Sequence, residues 1–179
     1  MKNLFYLSMS ILISCTLLIT SSCDKQEMEP NLVPRTTSGE NTMGFYVDGE
    51  LVNIRGKGNW SFPEGVNYFL FENYSCEVSG SLDEQKYPIA HIRLSFDLDS
   101  INPMKPYYLN EDEPGNGSII DNSQLGGEEY NTIDSCEGVI EILRFDTEVI
   151  AGTFNFDAKN GSSGRIIKIK NGRFDIKRN

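Results

Sequence analysis

The chain has 179 residues, 39% hydrophobic and 23% charged, which fits one ordinary globular domain. Sixteen Lys and Arg against 26 Asp and Glu give a net charge of −10, which argues against a nucleic-acid partner. Four cysteines are too few for a cysteine-packed miniprotein, and a single histidine rules out a histidine-rich metal site.

Residues 1–22 read as an export signal. Lys2 is the only charge before Asp24, and the apolar stretch Leu4–Ile19 is 16 residues long. That is shorter than the roughly 20 residues of a bilayer-spanning helix. Thr20-Ser21-Ser22 immediately before Cys23 resembles the lipobox of bacterial lipoproteins. The resemblance implies cleavage before Cys23, diacylglycerylation of its thiol and acylation of the new amino group. A second such run, Leu12-Ile13-Ser14-Cys15, would leave Thr16–Ile19 as an apolar stub and is set aside.

Residues 23–42 read as a flexible, acidic tether, polar and without a period of 2 or 3.6. The acids directly after Cys23 resemble the signal that sends Bacteroidota-type lipoproteins to the outward face of the outer membrane. The periplasmic face is the alternative. The expected partner is therefore the membrane, held through N-terminal acyl chains. Each buried methylene contributes about 0.8 kcal/mol, so two or three chains hold firmly where one would not.

Residues 43–179 read as a single β-rich domain, because polar–apolar alternation is broken by turn residues at short intervals. Asp48-Gly49 predicts a two-residue type I′ turn that sets Val47 opposite Glu50, Phe45 opposite Val52 and Met43 opposite Ile54. Gly56–Gly65 is a Gly/Pro loop carrying Trp60 and Phe62. Their rings either stack on a sugar or fold back and cap the core. Asn67–Val78 predicts two short strands. Ala90, Ile92, Leu94, Phe96 and Leu98 alternate with polar residues in a further half-buried strand, with His91 on its solvated face.

Charge is most uneven beyond this point. Nine acids and no base lie between Lys105 and Arg144, whereas residues 159–179 hold seven bases and one acid. Asp112, Asn116 and Asp121 fall at spacings faintly like a calcium loop, although Pro114 stands where an oxygen ligand belongs and no glutamate closes the motif. An acidic solvated loop is the plainer reading, and the sequence calls for no metal or other cofactor.

Asp146-Thr147-Glu148 predicts a three-residue loop with Phe145 opposite Val149, Ile142 opposite Gly152, Ile140 opposite Phe154 and Gly138 opposite Phe156. Asn171-Gly172 predicts a last hairpin, with Ile169 opposite Phe174, Ile167 opposite Ile176 and Lys168 paired with Asp175. The whole gives an all-β fold of about eight to ten antiparallel strands, a sandwich or a small barrel, ending in a meander. With Cys15 in the signal and Cys23 acylated, Cys76 and Cys136 remain. They either form a bridge closing a loop of 61 residues or stay as two buried thiols.

Gly152-Thr153-Phe154-Asn155-Phe156 followed by Gly172-Arg173-Phe174-Asp175-Ile176 resembles the closing signature of a family of uncharacterised Bacteroidota-type lipoproteins. That signature is a G-T-F-x-F strand and a G-x-F-D hairpin. Val47-Asp48-Gly49-Glu50 resembles the family's opening strand. The resemblance implies a fold and a location but no reaction. No nucleophile elbow, phosphate loop or paired-histidine motif occurs. The expectation is a non-catalytic module that binds a glycan or an envelope protein through its loops. The alternatives are a hydrolase using two carboxylates and a lipocalin-like carrier.

Overall fold

Eleven strands run through the described residues, the alternation of burial being plainest in the ninth and tenth. They are β1 (Thr42–Val47), β2 (Glu50–Arg55), β3 (Gly65–Leu70), β4 (Ser75–Ser81), β5 (Ile89–Asp97), β6 (Pro106–Leu109), β7 (Asn116–Asp121), β8 (Glu128–Asn131), β9 (Gly138–Phe145), β10 (Val149–Asn160) and β11 (Ile166–Lys177). The computed structural model describes residues 31–58, 64–71, 75–82, 89–97, 106–109, 115–121, 127–133 and 138–178.

Nine strands follow one another in the order β2-β1-β11-β10-β8-β7-β5-β4-β3, each antiparallel to the next. The two ends of that path meet at a single parallel bridge between Lys57 and Val66. There the Val66 N–H donates to the Gly56 carbonyl at 2.9 Å, and the Gly58 N–H donates to the Val66 carbonyl at 3.1 Å. The sheet is thus a nearly closed barrel, which decides between the two architectures. At the seam Gly65 has φ +109°, and a Cβ there would lie 2.7 Å from the Gly56 carbonyl oxygen, so only glycine fits. The long β10 serves two partners: Ile150–Phe156 pair with β9, which carries β6 on its far side, and Lys159–Asn160 pair with β8.

Inward side chains fill the barrel, among them Met43, Phe45, Ile54, Val78, Ile92, Leu94, Ile119, Ile140, Phe154, Phe156 and Phe174. The Gly/Phe signature at the end of the chain has a packing cause. Gly152 stands opposite Phe174 and Phe154 opposite Gly172, so each ring lies over the glycine of the partner strand. Phe154 then meets Phe45, Phe156 and Phe174 at centroid separations of 5.9, 6.2 and 6.3 Å. A side chain on either glycine would occupy the ring's space.

The first hairpin has the predicted register throughout, with Asp48 and Gly49 both at positive φ. The second keeps Ile142–Gly152, Ile140–Phe154 and Gly138–Phe156, but Phe145 faces Ile150 instead of Val149. Asp146 accounts for the difference: its carboxylate accepts the Glu148 and Val149 N–H groups at 2.8 and 2.9 Å. This widens the loop by one residue, and a bulge beside Ala151 and Gly152 restores the register.

The last hairpin differs more. Asn171-Gly172 is not a turn but a bulge inside β11, with Asn171 at φ +55° and its N–H held by the Asn155 side chain at 2.7 Å. Chain reversal occurs at residues 161–164, where the Asn160 carboxamide accepts the Ser162 and Ser163 N–H groups. An Asn-Gly pair suits any site needing positive φ, and the bulge lets β10 and β11 pair along most of their length. Lys168 therefore faces Asp157, and Asp175 finds other partners.

Those partners show that the folded unit starts earlier than residue 43; it begins at Asn31. The Asp175 carboxylate, 1% exposed, accepts hydrogen bonds from the Thr36 hydroxyl and the Ser38, Gly39 and Glu40 N–H groups at 2.7–3.2 Å. Leu32 and Val33 pack into the notch left by Gly44 on the outside of β1, and Asn53 of β2 bonds the Val33 N–H and the Asn31 carbonyl. Residues 31–41 are a strap across the outer faces of β11, β1 and β2. Their polarity hid this, because the strap is held by hydrogen bonds to one carboxylate and by two apolar side chains.

Candidate functional site

The outward face of β3, β4, β5, β7 and β8 is polar and made mostly of short side chains. Cross-strand pairing lines up Asn67, Ser79, Arg93, Ser118 and Asn131, and then Lys159 on β10, in a single row. A parallel row runs Gly65, Ser81, His91, Ile120 and Glu129. These positions alternate with the inward Val78, Gly80, Ile92, Leu94 and Ile119, which explains why the face exists: the same strands that fill the core must present every second residue outward. At about 4.8 Å per strand, the six-residue row is about 24 Å long.

Arg93 is the prominent charge on this face. Its Nε lies 3.2 Å from the Glu77 carboxylate, and its side chain stays 47% exposed while Ser79, Ser118 and Asn67 are buried around it. Burial raises the Glu77 pKa, and Arg93 opposes that shift. His91 is half-buried rather than solvated as its alternation implied. The Ser81 hydroxyl lies 2.7 Å from its Nδ1, and its Nε2 is enclosed without a hydrogen-bond partner among the described residues. Burial and then the Arg93 charge lower the His91 pKa, so the ring is neutral at pH 7. The Ser81–His91 contact has the reach of a nucleophile–base pair, but none of the described residues orients the imidazole from Nε2. A neutral histidine fixed by a serine is suited to hydrogen bonding.

The remaining candidates from the sequence fall elsewhere. Asn116 and Asp121 occupy the two ends of β7, five residue steps and about 17 Å apart, so they cannot share a cation, and Asp112 lies outside the described residues. Strand formation overrides the loop reading because Gly117 and Ile119 face the core. Cys76 is a fully buried free thiol on the inward face of β4, and burial pushes its pKa up to about 12. Cys136 lies outside the described residues, as do Cys23, Trp60 and Phe62. The Trp60 loop nevertheless leads into Gly65, at one end of the polar face.

At the opposite end of β3 the Arg178 guanidinium lies 4.8 Å from the Tyr68 ring and 4.5 Å from the Phe145 ring. The guanidinium also donates to the Asp146 carbonyl, and the Arg178 backbone N–H donates to the Glu148 carbonyl at 2.8 Å. This clamp holds the chain's end and offers no reactive group. The polar face was invisible in the sequence, because its residues come from five strands and meet only through register. Comparison with protein-family models, with curated proteins and with solved structures finds no match for this chain.

Proposed function

We propose that the protein is a lipid-anchored cell-envelope module, held by acyl chains on Cys23, that binds a glycan along the outward polar face without catalysing a reaction. The observation that carries this reading is the outward row from Arg93 to Lys159, in which the 47% exposed Arg93 and the half-buried Asn131 and Lys159 stand beside the more deeply set Ser118. The Arg93 guanidinium donates and the Asn131 amide both donates and accepts, which matches the hydroxyl groups of a sugar. The Arg93–Glu77 pair leaves the face nearly neutral, which favours a polyol over a polyanion. Trp60 and Phe62, in the loop entering Gly65, would add ring faces on which a sugar stacks. A carrier reading would need an open interior, whereas the Phe45, Phe154, Phe156 and Phe174 rings pack against one another there.

Two measurements test the proposal. Cys23→Ala should abolish acyl labelling and release the protein from the membrane fraction; unchanged partitioning without acyl label in either form refutes the anchor. A glycan array probed with the acylated protein should give binding that Arg93→Ala, a change at the exposed charge of the outer face, lowers at least tenfold. No glycan binding, with capture of an envelope protein through the same residues instead, would replace the sugar with a protein partner.

A further inference from the structure

The outer faces of β2, β1 and β11 form a second surface, on the side of the barrel crossed by the strap. From Lys168 to Lys177 the outward side of β11 carries Lys168, Lys170, Arg173 and Lys177, interrupted by the bulge at Asn171 and by Asp175, whose carboxylate is sealed by the strap. Lys168, Lys170 and Lys177 are exposed, and Arg55 of β2 and Arg35 of the strap add two more exposed cations. Lys170, its side chain 52% exposed, lies 3.0 Å from the less exposed Asp157 carboxylate. Two large apolar side chains, Leu51 and Ile166, stand out beside the cations with 38% and 48% exposure. Exposed Glu40, Asp48 and Glu50 border this surface, so its cations stand as a local excess of positive charge in a protein of net charge −10.

The same face is where the chain leaves the folded unit. Asn31, the first residue of the strap, has its carbonyl held by Asn53 on the outside of β2. Only seven residues, 24–30, separate it from Cys23, a reach of about 28 Å at full extension.

The geometry points to this face as a docking surface for anionic lipid headgroups of the membrane that holds the anchor. The inference rests on the acyl anchor proposed above. The lysines and arginines meet phosphate groups, Leu51 and Ile166 enter the headgroup layer, and the short linker keeps the face within reach. The sequence places nine acids between Lys105 and Arg144, far along the chain from this cluster, and the polar face built from β3, β4, β5, β7 and β8 uses other strands. Docking would therefore leave the proposed glycan face free.

The test uses the acylated protein reconstituted into vesicles of phosphatidylcholine alone and into vesicles rich in phosphatidylglycerol, with an amine-labelling reagent read out by mass spectrometry. Lys168, Lys170 and Lys177 should label about fivefold more slowly on the phosphatidylglycerol vesicles, and high salt should remove the difference. Lys168→Gln combined with Arg55→Gln, both exposed, should abolish the slowing at Lys177 while leaving the fold intact. Flotation with both kinds of vesicle but equal labelling on each overturns the docking surface and leaves the anchor standing. Failure to float with either overturns the anchor and this inference together.

Discussion

Gly172→Ala isolates the interlock that joins β10 to β11. A Cβ on residue 172 would lie 2.3, 2.4 and 2.6 Å from three carbons of the Phe154 ring, where carbon atoms prefer about 3.5–4.0 Å. The ring cannot step aside: it is 1% exposed and Phe45, Phe156 and Phe174 surround it. Overpacking of this kind costs about 1–3 kcal/mol, and a rigid aromatic neighbour puts Gly172→Ala near the upper end. For a domain of this size, a cost of about 3 kcal/mol lowers the midpoint of thermal unfolding by about 6–12 °C. Circular dichroism melts and urea titrations with an unchanged m-value give the measurement. Gly161→Ala is the control, because a Cβ there meets nothing within 4 Å and should change stability by less than about 0.5 kcal/mol. Adding Phe154→Leu to Gly172→Ala should cost less than the two single changes together, since the smaller side chain vacates the contested space. A Gly172→Ala protein that melts with the wild type would refute the reciprocal packing and the register it depends on.

Asp175→Ala removes the acceptor of four part-buried hydrogen bonds, three of them from N–H groups of the strap. It should cost about 2–4 kcal/mol, and limited proteolysis should then cut within residues 34–41 of the otherwise folded protein. The lowered His91 pKa means that the native state binds this proton less readily than the unfolded chain does. Stability from His91 is therefore present above about pH 6.5 and lost as pH falls through the lower folded value. His91→Gln should flatten the decline in urea midpoint between neutral and mildly acidic pH, and an unchanged slope would sink that assignment. With its pKa pushed up to about 12 and no exposed surface, Cys76 should resist iodoacetamide in the native protein at pH 8. It should react once the chain is unfolded; rapid native labelling would contradict its placement.

Local chemistry made much of the fold legible. Asp48-Gly49 carries its own turn geometry, so the first hairpin and all three of its predicted pairs follow from two residues and the alternation on either side. The strand Ile89–Asp97 was equally plain, because Ile92, Leu94 and Phe96 occupy every second position. Asn171-Gly172 carried the same local signal and meant something else. Positive φ serves a turn or a bulge, and only the partner strands on both sides of β11 select between them. The short β6, β7 and β8 were missed for a related reason. Glu128-Glu129-Tyr130-Asn131 has no apolar run of its own, and it becomes a strand because β7 and β10 offer hydrogen bonds to its two edges.

The sequence by itself determined the all-β character, the turns whose backbone demands particular residues, and the positions that must face inward. Each of these is decided by residues within a few positions of one another. The tertiary structure decided that the sheet curls into a nearly closed barrel, because closure needs Gly56, Gly58 and Val66 to meet at a seam between strands at opposite ends of the sheet order. It also decided that Asp175 seizes the strap and that Asn67, Ser79, Arg93, Ser118 and Asn131 share one face. Those arrangements depend on cross-strand register between distant segments, and register is set by how the whole core packs.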